Sequence, residues 1–488
     1  MLTLRNIRVW DTDEVIDLVM PDASAPLVED GAVTEGEFDA TGLTLAPGFA
    51  DPHVHFRDPG QTYKESMVSG CAAAASGGYT NVLIMPNTVP AMDGEPVRAG
   101  EPGADEVLDA GCGTVIDYLQ RYAEVHGTGA LPVRYDLCVC ASKGRAGLEA
   151  TSYERWRRYT PGVDDDAKDA AQLAHPVTAI SDDGSAVTPQ TLDDVFALAK
   201  ESGLPLIEHC EHHDTGAVNE GPVSRRLGVP GIPEDTELRI VARDIAKARE
   251  TGVHVHFQHV STAISFDAIR RAKAEGLPVT CETAPHYLAL SDEALLEYGT
   301  LAKMNPPLRS EADRLATVEA IADGTVDMLA TDHAPHTLEE KGRGFLEAPN
   351  GVIGLECAYG VAHSVLVDGG HISDARLIEL MSVAPQRLMG HEATDVAALV
   401  EAFSEPAPNE EDDGRGGETE SPNRLLNLAR VDDPGAVDLV VLATDEAWTV
   451  DPERFHSKAR NTPFGGWQVT GRPLATIIGS RLAFSRMR

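Results

Sequence analysis

The strongest constraint on the fold is an alternation that recurs eight times. Short β-branched runs end in polar residues, and stretches of helical character separate most of them. The runs are 47–53, 79–87, 132–140, 176–183, 205–210, 253–261, 278–286 and 326–333. The helical stretches include 190–202, 235–250 and 262–275. Strands that alternate with helices build parallel sheets, because a parallel connection needs a crossover long enough to hold a helix. Eight such units predict an α/β fold, a closed (β/α)8 TIM barrel, over residues 47–400. Chemistry in such barrels gathers at the C-terminal ends of the strands. Here those ends carry His, Asp, Asn and Ser, where a buried strand prefers Val or Ile.

The two ends of the chain have another texture. Residues 1–46 and 428–488 show short alternating segments broken by turns. They predict antiparallel pieces that meet in one small β-sandwich domain beside the barrel. Between barrel and second piece, residues 401–427 read as an acidic flexible linker. Its stretch 402–424 is rich in acids, Pro and Gly, which favours an extended solvated chain.

Charge narrows the function. The chain of 488 residues carries 78 acids against 40 bases, a net charge of −38. That surface opposes nucleic acid and anionic membranes alike. No apolar run reaches the roughly 18 residues of a membrane span. The N-terminus lacks an apolar signal core, so a cytoplasmic location is expected. Seven cysteines, an odd number without Cys-x-x-Cys spacing, are expected to be reduced and mostly buried. Only 9 of the bases are Lys and 31 are Arg. Acid-rich, lysine-poor composition resembles the proteins of salt-in halophiles such as haloarchaea. At molar salt the Debye length shrinks to about 3 Å, so dense carboxylates stop repelling one another and keep the surface hydrated.

The polar strand ends suggest a metal centre. His53 and His55 lie two apart, so a strand turns both imidazoles to one face. Asp182-Asp183-Gly184 closes the fourth run, His209 the fifth, His259 the sixth and Asp332 the eighth. In one barrel these residues converge on one mouth. Zinc takes imidazole and carboxylate ligands, and a catalytic zinc keeps a position open for water. Two ions bridged by a carboxylate need about this many ligands. His254 and His256 read as incidental strand residues.

DPHVHFRDPG, MPNT, ISDDG, EHCE, HVST, ETAPHYL, KMNPPLR, TDHAPH and KARNTPFGGW together resemble dihydroorotases of the amidohydrolase superfamily, type I in particular. The resemblance implies two zinc ions per subunit. His53, His55 and Asp332 would hold the first, and His209 and His259 the second. Asp183 would bridge them, with Asp182 or a carboxylated Lys143 as rivals. Asp332 would also carry the proton of the reaction. Arg57 would hold the substrate carboxylate, helped by Asn87 and His336. Asn305 would contact the ring amide, and Asn350 and Gly351 the ring through backbone groups. Many bacterial members have Phe at the position of Asn350. The implied reaction is reversible closure of N-carbamoyl-L-aspartate to dihydroorotate in pyrimidine biosynthesis. An allantoinase or hydantoinase is the alternative. Segment 337–350 is expected to close over the substrate. A homo-oligomer, and association with aspartate transcarbamoylase, stay open. Salt is the first test of the composition. Dilution from molar KCl into low-salt buffer should unfold or inactivate the protein, followed by circular dichroism and activity; full stability in dilute buffer would contradict the halophilic reading.

Overall fold

The computed structural model describes residues 2–20, 28–29, 35–162, 173–211, 216–406, 423–431, 437–479 and 481–487. All eight runs form strands of one sheet. They are β1 (Phe49–Val54), β2 (Tyr79–Ile84), β3 (Arg134–Cys140), β4 (Val177–Ser181), β5 (Leu206–Glu208), β6 (Val255–Phe257), β7 (Val279–Thr283) and β8 (Met328–Leu329). Each pairs with its sequence neighbour, and every pairing is parallel. The ring is completed by a parallel bridge between Val54 and His333. There the His55 N–H donates to the His333 carbonyl at 2.9 Å. Asp51 ties the same seam together. Its buried carboxylate accepts from the His53 N–H at 3.0 Å and from the N–H and hydroxyl of Thr331.

Side chains alternate between two apolar layers. Ala50, Leu83, Cys138, Ala179, Ile207 and Met328 form one cluster with Leu388 and Met389, which sit at the end of helix Ala384–Leu388. Their strand neighbours Phe49, Val82, Leu137, Ile180, Leu206 and Leu329 belong to the large core shared with the helices. The predicted helices appear as Leu192–Ser202, Asp235–Thr251 and Ala263–Ala274. Thr262 caps the last of these through a side-chain bond to the Ser265 N–H, which offsets one of the unpaired donors of the first turn.

Both chain ends join one ten-stranded mixed sheet. Leu43–Pro47 pairs antiparallel with Asp438–Thr449, so the segment entering β1 is stitched to the C-terminal part. Its core includes Leu4, Ile7, Leu18, Leu45, Leu439 and Ile477. Residues 401–427 differ from the expected linker at both ends. Residues 401–403 finish helix Val396–Phe403. Ser404–Pro406 and Arg424–Asn427 pair antiparallel, and the latter also pairs parallel with Val15–Val19. Leu426, fully buried in that sheet's core, explains the order. Residues 407–422 lie outside the described residues. All seven cysteines are unpaired and buried. No helix among the described residues is long and apolar enough to cross a membrane.

Phe49 starts β1 with its ring 5.8 Å from that of Tyr79 and 5.4 Å from that of Tyr359. Phe49→Ala should cost about 3–5 kcal/mol, since the cavity sits in close-packed surroundings. Leu148→Ala, at a 66% exposed position, should change stability by less than about 0.5 kcal/mol. Urea unfolding midpoints compare the two.

Candidate metal centre and active site

Six side chains from five strand ends meet at one end of the barrel. His53 lies in β1 and His55 just past it. Asp183 follows β4, His209 β5, His259 β6 and Asp332 β8. Asp183 sits in the middle. Its Oδ1 is 3.2 Å from His53 Nε2 and 3.5 Å from His209 Nδ1. Its Oδ2 is 3.4 Å from His55 Nε2. Asp332 Oδ1 lies 3.0 Å from His55 Nε2 and 3.6 Å from His53 Nε2. His259 Nε2 faces His209 Nδ1 at 2.8 Å. Two trios, His53–His55–Asp332 and His53–Asp183–His259, each keep their candidate ligand atoms within 4.8 Å of one another. The donors are imidazoles and carboxylates, the set that zinc accepts. The residues therefore fit a divalent-metal centre, with Asp183 in its midst.

The two adjacent acids separate cleanly. Asp182 points away from the cluster, and its carboxylate accepts from the N–H and hydroxyl of Ser142 at 2.9 and 2.5 Å. Strand alternation is the reason. Ala179 faces the barrel interior and Ile180 the helix layer, so Asp183 shares the interior parity of Ala179. Lys143 lies on a turn at Lys143–Arg145 and pairs with Glu149. Its side chain is 36% exposed, and nothing brings it to the imidazoles.

A second ring of contacts orients the first. His53 Nδ1 lies 2.7 Å from Glu282 Oε1, which leaves Nε2 to face Asp183. Glu282 Oε2 in turn lies 3.1 Å from His256 Nε2. Burial alone would raise the Glu282 carboxyl, but the adjoining His53 and His256 bring it down to about 2. A charged acceptor behind a metal-binding imidazole fixes its tautomer and strengthens it as a ligand. His256, read from the sequence as incidental, is part of this support; the His254 ring instead meets the Thr280 hydroxyl, at 2.8 Å. Glu282 itself was missed. The available signal was a carboxylate in the body of a buried strand, where an unpaired charge is too costly. Asn87 Oδ1 holds His55 Nδ1 at 2.9 Å. The Asn305 amide is 3.1 Å from His209 Nε2, which leaves Nδ1 toward Asp183. Arg145, another residue missed, donates from Nη1 to the Asp183 carbonyl at 2.8 Å.

The cluster opens into a cavity of about 130 Å³. Arg57, Asn87, Asn305, Asn350 and Gly351 line it together with His55, His209, His259, Asp183 and Asp332. Burial lowers the Arg57 guanidinium to about 10, which still leaves it cationic at neutral pH. Its Nε is buried with no hydrogen-bond partner among the described residues. His336 adjoins the cavity wall at Gly351, where a Cβ would lie 3.5 Å from its Cδ2. Its N–H donates to Asn461 Oδ1 at 3.0 Å, and its Nδ1 lies 3.4 Å from Lys64 Nζ. Burial, together with Arg57, Lys64 and Lys341, keeps its imidazole neutral. Gly351 has φ 123°, and a Cβ there would come within 2.6 Å of that of Ala334. Both its backbone groups are already bonded. Its N–H donates to the Lys303 carbonyl, and its carbonyl accepts from Lys341 and Asn461. Segment 337–350, expected to close over the substrate, is anchored by a capping box between Thr337 and Glu340 and by a 3.1 Å pair between Glu340 and Lys64.

The Amidohydrolase family pattern matches residues 44–394. The chain belongs to this family of metal-dependent hydrolases, and its full-length relatives place it among the cyclic amidohydrolases called dihydroorotases. It is 35% identical to a dihydroorotase of Geobacter metallireducens, over 99% of this chain and 100% of that one. It is 36% identical to a dihydroorotase of Desulforapulum autotrophicum, over 97% and 96%. Among solved structures it resembles the L-hydantoinase of Arthrobacter aurescens, with a TM-score of 0.67 and 20% identity over 100% and 96% of the two chains. The dihydropyrimidinase of Brevibacillus agri gives 0.68 and 20% over 99% and 95%. At that identity the structures show the barrel fold alone.

The geometry ranks three substitutions. Asp183→Ala should abolish most metal binding. Asp182→Ala should keep the metal and lose stability through Ser142. Glu282→Gln should weaken metal affinity about 10–100-fold. Metal analysis of the purified variants reads all three, and equal loss in the two aspartate variants would contradict the assignment of Asp183.

Proposed function

We propose that this chain catalyses the reversible cyclisation of N-carbamoyl-L-aspartate to (S)-dihydroorotate, with two zinc ions per chain. The supporting observation is a cluster of four imidazoles and two carboxylates that opens into one small cavity beside a partly buried arginine. His53, His55 and Asp332 would hold one ion, His209 and His259 the other, and Asp183 both. Bound there, the metals supply a water nucleophile at neutral pH and polarise the amide carbonyl.

The remaining work falls to the chain. Asp332 Oδ1 takes the proton of the attacking water and passes it to the ring nitrogen as the amide opens, and the reverse transfer serves ring closure. Arg57 offers a planar fork to the one carboxylate of dihydroorotate. Asn87 and Asn305 hold His55 and His209 in orientation and edge the cavity. Asn350 stands at its rim. Asn350 and Gly351 would present backbone to the ring, the Gly351 groups being also engaged by Lys303, Lys341 and Asn461. His336 supports that wall from behind, bonded to the backbone of Asn350. The same proposal includes a cytoplasmic enzyme suited to high salt, whose association with itself or with aspartate transcarbamoylase is left to direct measurement.

A hydantoinase reading rests on the solved neighbours, and a substrate panel separates the two. In molar KCl, dihydroorotate should be hydrolysed, with activity lost on chelation and regained with zinc. Arg57→Ala should lower kcat/KM on dihydroorotate at least about 100-fold, the scale of a lost bond to a charged group. Turnover of hydantoin or allantoin with none of dihydroorotate would overturn the proposal.

A further inference from the structure

Lys341 presents an arrangement that the proposed reaction does not use. It ends the short helix Leu338–Lys341 and is 1% exposed. Its Nζ donates to three carbonyls: Lys303 at 2.9 Å, Pro349 at 3.0 Å and Gly351 at 2.9 Å. An ammonium has three donors, so all are used on backbone. No carboxylate bonds it among the described residues. The charge acting on it is a second cation, Lys303, whose own Nζ donates to the Ala348 carbonyl at 2.6 Å. Burial and this neighbour bring the Lys341 ammonium down to about 7.

A buried cation without a counter-charge is costly, and an apolar side chain would fill the space more cheaply. What the cation adds is a junction. The Lys303 carbonyl lies two residues before Asn305, whose amide meets His209. Pro349 and Gly351 flank Asn350, at the cavity wall. The Gly351 N–H also donates to the Lys303 carbonyl at 3.0 Å. One ammonium thus fastens two cavity walls to each other across different loops.

We propose that Lys341 is a positioning residue, whose ammonium holds the Lys303 and Pro349–Gly351 segments at the spacing the substrate ring requires. This rests on the dihydroorotase reading of the same cavity. Substrate then meets a wall already set rather than a lid that closes on it.

The test compares wild-type holoenzyme with Lys341→Met, which keeps the length and removes the donors. The wild type is first shown to turn over dihydroorotate; if it does not, the functional reading fails, and the positioning claim is judged by whether the Gly351 amide of the ligand-free chain exchanges slowly and Lys341→Met speeds it. For the folded variant with full metal content, KM should rise at least tenfold while kcat stays within threefold. An unchanged KM would overturn the proposal, as would a loss of metal together with kcat, which marks a structural role. Hydrogen exchange on the wild type decides the matter if the variant does not fold. The Gly351 amide should exchange slowly with and without dihydroorotate. Fast exchange in the free enzyme that slows only with substrate would show a closing lid and overturn the proposal.

Discussion

A buried carboxylate set among imidazoles is the constraint on which the rest of the structure depends. Asp183 is 1% exposed. Burial alone would raise its carboxyl, but His55, His53 and His209 hold it well below the ordinary range. Such a group is costly to bury unless its charge is met on several sides. A barrel meets it on several sides, because neighbouring strand ends deliver side chains to a common point. The backbone bends to the same demand. His259 and Asp332 have φ of 36° and 46°, in the left-handed region that ordinary residues avoid. Each costs about 1–3 kcal/mol, and both are candidate ligands. Strain gathered at the ends of β6 and β8 fits a site shaped by ligand geometry rather than by local preference.

Around that centre the support is graded. Glu282 reaches His53 from β7 and is itself met by His256 from β6, and Asn87 reaches His55 from the end of β2. Asp51 locks the seam where the barrel closes, and Arg145 holds the Asp183 carbonyl. The small sheet contributes at a distance. Its strand Leu43–Pro47 runs straight toward β1. From the C-terminal segment, Asn461 bonds the Ala334 and Gly351 carbonyls at the cavity wall. Both chain ends therefore help fix the position of the active site.

Much of this was legible in the sequence, for a physical reason. Strand ends in a barrel are few, and polar residues there have one place to go, so His53, His55, His209, His259 and Asp332 could be read before any coordinates. The choice between Asp182 and Asp183 depended on parity. Small Ala179 inward and branched Ile180 outward turn Asp183 rather than Asp182 toward the interior, which can be read only once the side facing the barrel interior is known. Glu282 and His256 stayed hidden because they sit in strand bodies, where a pair of buried polar residues looks like two isolated ones. The bonds of His336 to Asn461 and Lys64 were not legible, since the path of a loop cannot be counted from its motif. The 401–427 segment misled through averaging. Its acids outnumber its apolar residues, yet Leu425 and Leu426 suffice to add a strand to a sheet that was already there.

Manganese substitution tests the central claim most directly, because Mn²⁺ reports its own neighbours. Loaded into the purified chain and observed by electron paramagnetic resonance, two ions sharing the Asp183 carboxylate should bind at two equivalents per chain and give an exchange-coupled spectrum. Two uncoupled signals, or saturation at one equivalent, would contradict a centre bridged by Asp183.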